Sequence, residues 1–420
     1  MRSLILAILA LSLHAAPSQA AAPLGAPPLP LGRAQAEGFS DEGLARIDRF
    51  YEGEVAAARI PGAVVAIARN GKLIHFKAYG QLDTANRVPM PLNAIFPLAS
   101  MTKIMTSVAA MTLNENGHLR LQAPLSAYFP EFTGQKVAVK LPNGETRLDP
   151  AVRPISIHDL FRHTAGLGYR GLAGYPDPTK DNADAYLSKI AGQPLIAQPG
   201  SMFDYGAGTD VLGLVVEKVA RASLGPFMKT VLWDKVGMPD TRFTVPQKDL
   251  GRRAFPLPVD PITGKPQPMN IYDSPNLFDV AGSGALGTVG DYVRFGQMLL
   301  NGGVLDGVRV LSPKTVAYMT SNHLSPSMQN NVAQVDNFRE GYGFGLGVAV
   351  RIEEGTAAVP GSLGDYTWNG GAGTLFWNDP QERLVVVVGM VAPGAIRRQL
   401  REQTSAMVYG AMTQSYPPRR

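Results

Sequence analysis

Apolar residues recur along this chain with two periods, and the two alternate in blocks. Leu44, Ile47, Tyr51 and Val55 repeat at helical spacing behind Ser40, a residue type that caps helix N-termini, and Pro61-Gly62 ends that run. Two short apolar runs follow, 63–68 and 72–79, joined by Asn70-Gly71. Both joining residues tolerate positive φ, so the pattern predicts a two-residue hairpin. Helical spacing returns with Ile104, Val108, Met111 and Leu113, entered through Phe96-Pro97-Leu98-Ala99-Ser100 and stopped at Gly117. Beyond it, Pro130, Pro142, Pro150, Pro154, Pro176, Pro178 and Pro199 break the chain into short pieces. Within these pieces, 157–161 leads into His163-Thr164-Ala165-Gly166. A further helix is predicted over 209–220, capped by Thr209 or Gly208 with Asp210 in its first turn. The last third reads as strands at 342–351, 373–377 and 384–391, the last opening on the buried-strand run 384–388. A helix over 396–412 closes the chain, with Leu400, Met407 and Val408 inward. Strands near both ends with helices between predict an α+β fold: an antiparallel sheet flanked by helices and split by a mainly helical insertion.

Composition narrows this picture. The 420 residues, 45% apolar, are enough for a substantial core. Lys+Arg 39 against Asp+Glu 34 gives +5, spread without a basic run, so nothing supports nucleic-acid or membrane-surface binding. Cysteine is absent, which excludes disulfides and a thiol nucleophile. Met1-Arg2-Ser3, an apolar stretch over 4–13 and the small residues of Ser18-Gln19-Ala20 read as a secretory signal peptide over 1–20. That stretch is too short to span a bilayer, so a secreted or periplasmic protein without stable membrane insertion is expected. Losing Arg2 with the signal takes the charge from +5 to +4. Residues 21–38, rich in Pro, Gly and Ala, read as a flexible leader before a unit over 39–412. Within that unit the sheet domain is expected at about 39–98 and 290–412, and the helical insertion at about 99–289.

Candidate chemistry gathers at one helix start. Ser100 and Lys103 are three apart, so they lie roughly 60° apart on one face. An amine there can help deprotonate a hydroxyl, and a helix N-terminus favours negative charge. Other patterns carry less. Gly282-Ser283-Gly284-Ala285-Leu286-Gly287 fits G-x-G-x-x-G without the strand–turn–helix unit and acidic residue of a dinucleotide site. His158 and His163, five apart and not on one helical face, make a poor metal pair, and His163 is read as holding a loop. No G-x-S-x-G occurs, and no cofactor is implied.

Several motifs then follow in order. Ser100-Met101-Thr102-Lys103 is followed by His163-Thr164-Ala165-Gly166-Leu167, and then by Phe203-Asp204-Tyr205 ahead of Thr209-Asp210-Val211-Leu212-Gly213. Next come Gly237-Met238-Pro239-Asp240-Thr241, then Gly282-Ser283-Gly284 with Thr288, Asp291 and Tyr292, and Gly341-Tyr342-Gly343. This series resembles the serine β-lactamase and penicillin-binding-protein superfamily from about residue 40 to 412, and is most similar to its class C-like branch and the family VIII carboxylesterases. The resemblance implies that Ser100 is the acylated nucleophile, that Lys103 relays its proton and that Tyr205 is the partner base. A nearby ammonium would favour the phenolate of Tyr205. It implies an oxyanion hole from the backbone N–H groups of Ser100 and Gly371. Two departures matter. Where a lactamase has a cation ahead of Thr/Ser-Gly, this chain has Trp368-Asn369-Gly370-Gly371, close to the Trp-Gly-Gly of the esterases. Where a lactamase has Tyr-x-Asn, this chain has Tyr205-Gly206-Ala207. Both losses remove polar contacts that a β-lactam uses and a simple ester does not need. The expectation is an esterase with weak or no β-lactamase activity on small-molecule ester or amide substrates. D-amino-acid or D-Ala-D-Ala peptidase, acyltransferase and β-lactamase activities stay open. So does a non-catalytic relative that binds cell wall or a partner, though the presence of all three side chains argues against it. Trp368, Asn369, Gly370, Tyr169, Tyr175 and Phe344 are candidates for the pocket.

Overall fold

The computed structural model describes residues 27–169, 176–267 and 276–417. Helix α1 (Asp41–Ala56) starts at Ser40, whose side chain accepts from the Gly43 N–H, and buries Leu44, Ile47 and Tyr51. Strands β1 (Gly62–Arg69) and β2 (Lys72–Asp83) form the hairpin, with Asn70 and Gly71 both at positive φ. β3 (Val88–Pro89) pairs with β2, and five more strands return from the far end of the chain. These are β4 (Tyr342–Phe344), β5 (Ala349–Arg351), β6 (Tyr366–Asn369), β7 (Leu375–Asp379) and β8 (Leu384–Met390). The order across the sheet is β4-β5-β6-β7-β8-β1-β2-β3, with each pairing antiparallel.

The centre of this sheet is buried on both faces, which explains its unbroken apolar runs. Side chains alternate across a strand. Ala63, Val65 and Ile67 of β1, with Val386 and Val388 of β8, face a core shared with Leu44, Ile47, Tyr51, Leu400 and Val408. Val64 and Ala66, with Val385 and Val387, face a second, larger core that continues into the helical part of the molecule. The first core is covered by α1 and the closing helix, Ile396–Gly410, on which Met407 is only half-buried. The second is covered by the helix Val289–Leu300 and by the helix Thr102–Glu115, which is buried on every side from Thr102 to Leu113. A helix buried on every side belongs to the core, and here it carries the Ser100 turn at its N-terminus.

Three expectations change. The leader read over 21–38 is fixed from residue 27 onward. Leu29 is buried, Leu73 donates to the Pro30 carbonyl at 2.7 Å, Gly32 donates to the Leu73 carbonyl at 3.0 Å, and Glu37 takes Lys72 at 2.6 Å. The strand read over 342–351 is two strands, β4 and β5, turned at Gly345–Gly347 where Gly345 donates to the Val348 carbonyl. The insertion also carries a hairpin, Lys136–Lys140 with Thr146–Pro150. The signal peptide over 1–20 lies outside the described residues, as does Tyr175. Among the described residues no helix is long and apolar enough to cross a membrane.

Candidate active site

Ser100 sits in a single 3-10 turn, Ala99–Met101, that runs straight into the helix Thr102–Glu115. The turn is clamped from several directions. Phe96–Pro97 pairs with Leu286–Gly287, and Leu98 donates to the Ala285 carbonyl at 2.9 Å. Tyr292 donates its hydroxyl to the Met101 carbonyl at 2.9 Å, and Ala285 donates to Thr102 Oγ1 at 3.1 Å. Ala99 takes φ +46, a left-handed conformation costing a Cβ-bearing residue about 1 kcal/mol, which the clamps sustain. The Gly282-to-Gly287 stretch that imitates a dinucleotide fingerprint is therefore the strap over the Ser100 turn.

Lys103 has no solvent exposure. Its ammonium donates to the Gly282 carbonyl at 2.7 Å, lies 3.4 Å from the Tyr169 hydroxyl and 3.5 Å from Ser100 Oγ, and sits 4.8 Å from the Tyr205 ring centroid. The Gly282 loop is itself held by Asp210, in the first turn of the helix Gly208–Ala220, whose carboxylate accepts the Gly282 N–H at 2.8 Å. The Ser100 hydroxyl, the Lys103 ammonium and the Tyr169 phenol thus meet at one half-buried point, with the Tyr205 ring beside the ammonium.

Tyr205 is placed by the neighbouring loop. Tyr169 donates its backbone N–H to the Tyr205 carbonyl at 3.2 Å, and the two rings meet edge to face at 5.4 Å. His163 fixes the same turn. Its carbonyl accepts from Asp204 at 2.8 Å, its Nδ1 accepts from Gly206 at 3.4 Å, and its ring lies 4.8 Å from that of Tyr205. Burial, and then the Lys103 charge, hold His163 well below the ordinary imidazole range, so it is a neutral acceptor. His158 points elsewhere, to His323 Nδ1 at 2.9 Å. Ala207, at the Asn position of the lactamase pattern, is fully buried as the N-cap residue of the helix that follows.

The stretch Trp368-Asn369-Gly370-Gly371 behaves differently from a pocket wall. Trp368 is 1% exposed, and its indole Nε1 donates to the Tyr205 hydroxyl at 3.2 Å. It supports the phenol from behind. Asn369 points to the other face of β6, where its amide donates to Asp336 at 3.3 Å. Gly370 is buried with its carbonyl taken by Arg401, and a Cβ there would lie 2.0 Å from Thr374 Oγ1. Phe344 is fully buried among Trp368, His163 and Phe203. Trp368, Asn369, Gly370 and Phe344 were expected at the pocket surface. They lie beneath it instead, because strand alternation and the apolar rings turn them into the core. Gly371 is exposed, and a Cβ there would meet nothing within 4 Å. Sequence reasoning missed Asp210 as the holder of the Gly282 loop, although its helix-start position was visible. It also missed Arg339, stacked 4.3 Å from the Trp368 ring, which no local motif marks.

Residues 47–400 match the Beta-lactamase family model, and the chain belongs to that family. It is a serine hydrolase of the β-lactamase fold, near the family VIII esterases. A protein of Mycobacterium tuberculosis (strain H37Rv) is 33% identical over 348 residues, covering 79% of this chain and 86% of that one. Lovastatin esterase of Penicillium rubens is 31% identical over 386 residues (82% and 92%). Esterase EstB of Burkholderia gladioli is 27% identical over 374 residues (80% and 87%). Among solved structures, EstCE1, a hydrolase with promiscuous acyltransferase activity, superposes with a TM-score of 0.68 at 26% identity, covering 87% of this chain and 99% of that one. Unliganded simvastatin synthase from Aspergillus terreus, at 22% identity, shares the fold with a TM-score of 0.75 (90% and 100%).

Proposed function

We propose that this chain is an exported hydrolase that cleaves carboxylic esters through an acyl-enzyme on Ser100, with weak or no β-lactamase activity. The observation that carries the reading is the Lys103 ammonium lying 3.5 Å from Ser100 Oγ and 4.8 Å from the Tyr205 ring centroid. Tyr205 takes the Ser100 proton as Oγ attacks the carbonyl carbon. The N–H groups of Ser100 and Gly371 receive the oxyanion, and the exposure of Gly371 leaves its backbone approachable. The C–O bond to the alcohol then breaks, and the leaving alkoxide takes the proton back. Water enters, gives its proton to Tyr205 and attacks the acyl carbon, which releases the acid and restores Ser100. The names of lovastatin esterase and EstB support an ester substrate. Trp368 in place of a lactamase cation, and Ala207 in place of an amide, support weak handling of β-lactams. Export rests on the composition of residues 1–20 and makes the mature protein secreted or periplasmic.

A fluorophosphonate probe should label Ser100 and fail to label Ser100→Ala. Turnover of p-nitrophenyl butyrate should exceed that of nitrocefin, and the reverse ranking would overturn the esterase reading. Lys103→Ala and Tyr205→Phe should each cost at least about a hundredfold in rate, the scale of general acid–base assistance. A wild-type rate in either would remove that residue from the mechanism.

A further inference from the structure

The deepest charge behind the site belongs to a residue that the mechanism above does not use. Arg339 is 1% exposed, and its Nε and Nη2 have no hydrogen-bond acceptor among the described residues. Its carboxylate neighbour is Asp336, 3.5 Å from Nη2. Asp336 is shared. Arg401 approaches it at 3.4 Å, Arg398 at 3.6 Å and the Asn369 amide at 3.3 Å. Three guanidinium groups on one carboxylate leave the deepest of them short of counter-charge, and a buried cation in that state gains from any anion that forms nearby.

The group Arg339 does touch leads to the phenol. Its Cζ lies 4.3 Å from the Trp368 ring centroid, within cation–π range. The far edge of the same indole donates Nε1–H to the Tyr205 oxygen at 3.2 Å, and the two rings are 5.1 Å apart. A cation over an indole face draws electron density from the ring, and a more polarised N–H is the better donor to a negatively charged oxygen. We propose that Arg339 is a positioning residue for the ester hydrolysis, acting through Trp368 to hold the Tyr205 oxygen and to favour the anion that takes the Ser100 proton. The inference rests on the assignment of Tyr205 as the base. Burial pulls the Arg339 guanidinium below its ordinary value. The Asp336 carboxylate pushes back first, with smaller contributions from Tyr342, Tyr205 and Asp365.

The test is a double-mutant cycle read as kcat and KM on p-nitrophenyl butyrate. Arg339 touches no substrate in this reading, so Arg339→Met should lower kcat about tenfold with KM within about twofold. Arg339→Lys, which returns a cation to the ring, should recover most of the loss. In a Tyr205→Phe background, Arg339→Met should cost nothing more, because the oxygen it serves is gone. An unchanged kcat in Arg339→Met, an equal loss in the Tyr205→Phe background, or Lys no better than Met would each overturn the inference. Should Arg339→Met fail to fold, Trp368→Phe keeps a ring under the guanidinium and removes the N–H. It should show the same loss and the same absence of effect without the phenol, and an unchanged kcat overturns the proposal. These failures leave the base assignment standing, whereas a wild-type rate in Tyr205→Phe removes both.

Discussion

At the scale of single residues, two adjacent glycines carry opposite duties. Gly370 is the close-approach glycine: a Cβ would lie 2.0 Å from Thr374 Oγ1 and 2.5 Å from the Leu98 carbonyl, two residues ahead of Ser100. Gly371 faces open space. Gly370→Ala should therefore push the Trp368 strand away from the Ser100 turn. It should cost about 1–3 kcal/mol, the scale of overpacking, and lower kcat with it. Gly371→Ala should keep the melting temperature within the range of an ordinary surface change, about 0.5 kcal/mol. Thermal denaturation and kcat of the two variants check this, and equal losses of stability would contradict it. The Gly370-Gly371 pair was visible in the sequence, but which glycine is jammed depends on Leu98 and Thr374, remote from each other in the chain. Ser100 and Lys103 were legible because three-residue spacing on a helix fixes their geometry. Trp368 was read for the wrong face, since a four-residue strand gives too little alternation to tell wall from core.

At the scale of elements, the short helix Ile157–Phe161 illustrates how a few polar bonds position the loop behind Tyr205. Ser156 and Asp159 form a reciprocal capping box, and the Asp159 carboxylate also takes Arg153 at 2.6 Å, Arg162 at 3.0 Å and the Thr164 hydroxyl at 2.8 Å. Thr164 follows His163, so this carboxylate ties down the loop behind Tyr205. Burial pushes the Asp159 carboxyl up, but Arg153 and Ser156 outweigh it and hold it well below the usual carboxylate range. A group depressed in the folded state stabilises fully above the unfolded value, about 3.9, and loses that contribution as pH falls from there toward the folded value. Asp159→Asn should cost about 3 kcal/mol at neutral pH, the scale of breaking a buried pair. The gap from wild type should narrow below about pH 4. Urea unfolding at pH 7 and pH 3 measures both, and an equal gap at the two values would contradict the assignment. Elements with local signals, such as the Asn70-Gly71 hairpin and the Ser40-capped helix, were legible in the sequence. The start of the helix Gly208–Ala220 was not. Its N-cap is Ala207, which has no capping side chain and is fixed instead by its N–H donating to the Leu167 carbonyl at 2.9 Å.

At the scale of the whole molecule, the sheet is a seam between the two halves of the chain, β1 lying against β8 from Ala63↔Met390 to Arg69↔Leu384. Sequence pattern gave strands at both ends and a helical block between, because apolar runs report burial whatever their partners. It could not give the fastening of the ends, in which one buried residue takes part at several points. Arg69, buried at the end of β1, donates to the Glu382 carboxylate at 2.6 Å and carbonyl at 3.0 Å, to the Glu37 carbonyl at 3.1 Å and to the Gln414 carbonyl at 2.9 Å. The Tyr416 ring lies 4.8 Å from its guanidinium carbon. One side chain thus joins the segment before α1, the turn between β7 and β8, and the tail after the closing helix. Composition made residues 27–38 look like a free leader because Pro and Gly dominate there, while the cation that captures them sits some thirty residues away. Arg69→Met should leave Glu382 buried without its partner and several carbonyls unmet, costing about 3–5 kcal/mol. Among the described residues Arg69 bonds to none of Ser100, Lys103, Tyr169 and Tyr205, so kcat per folded molecule should stay near wild type. Limited digestion with a broad-specificity protease should open the variant first within 27–38 and after residue 412, because those segments lose their common anchor. Resistance there equal to wild type, with stability unchanged, would mean that the tails are held by their apolar packing alone.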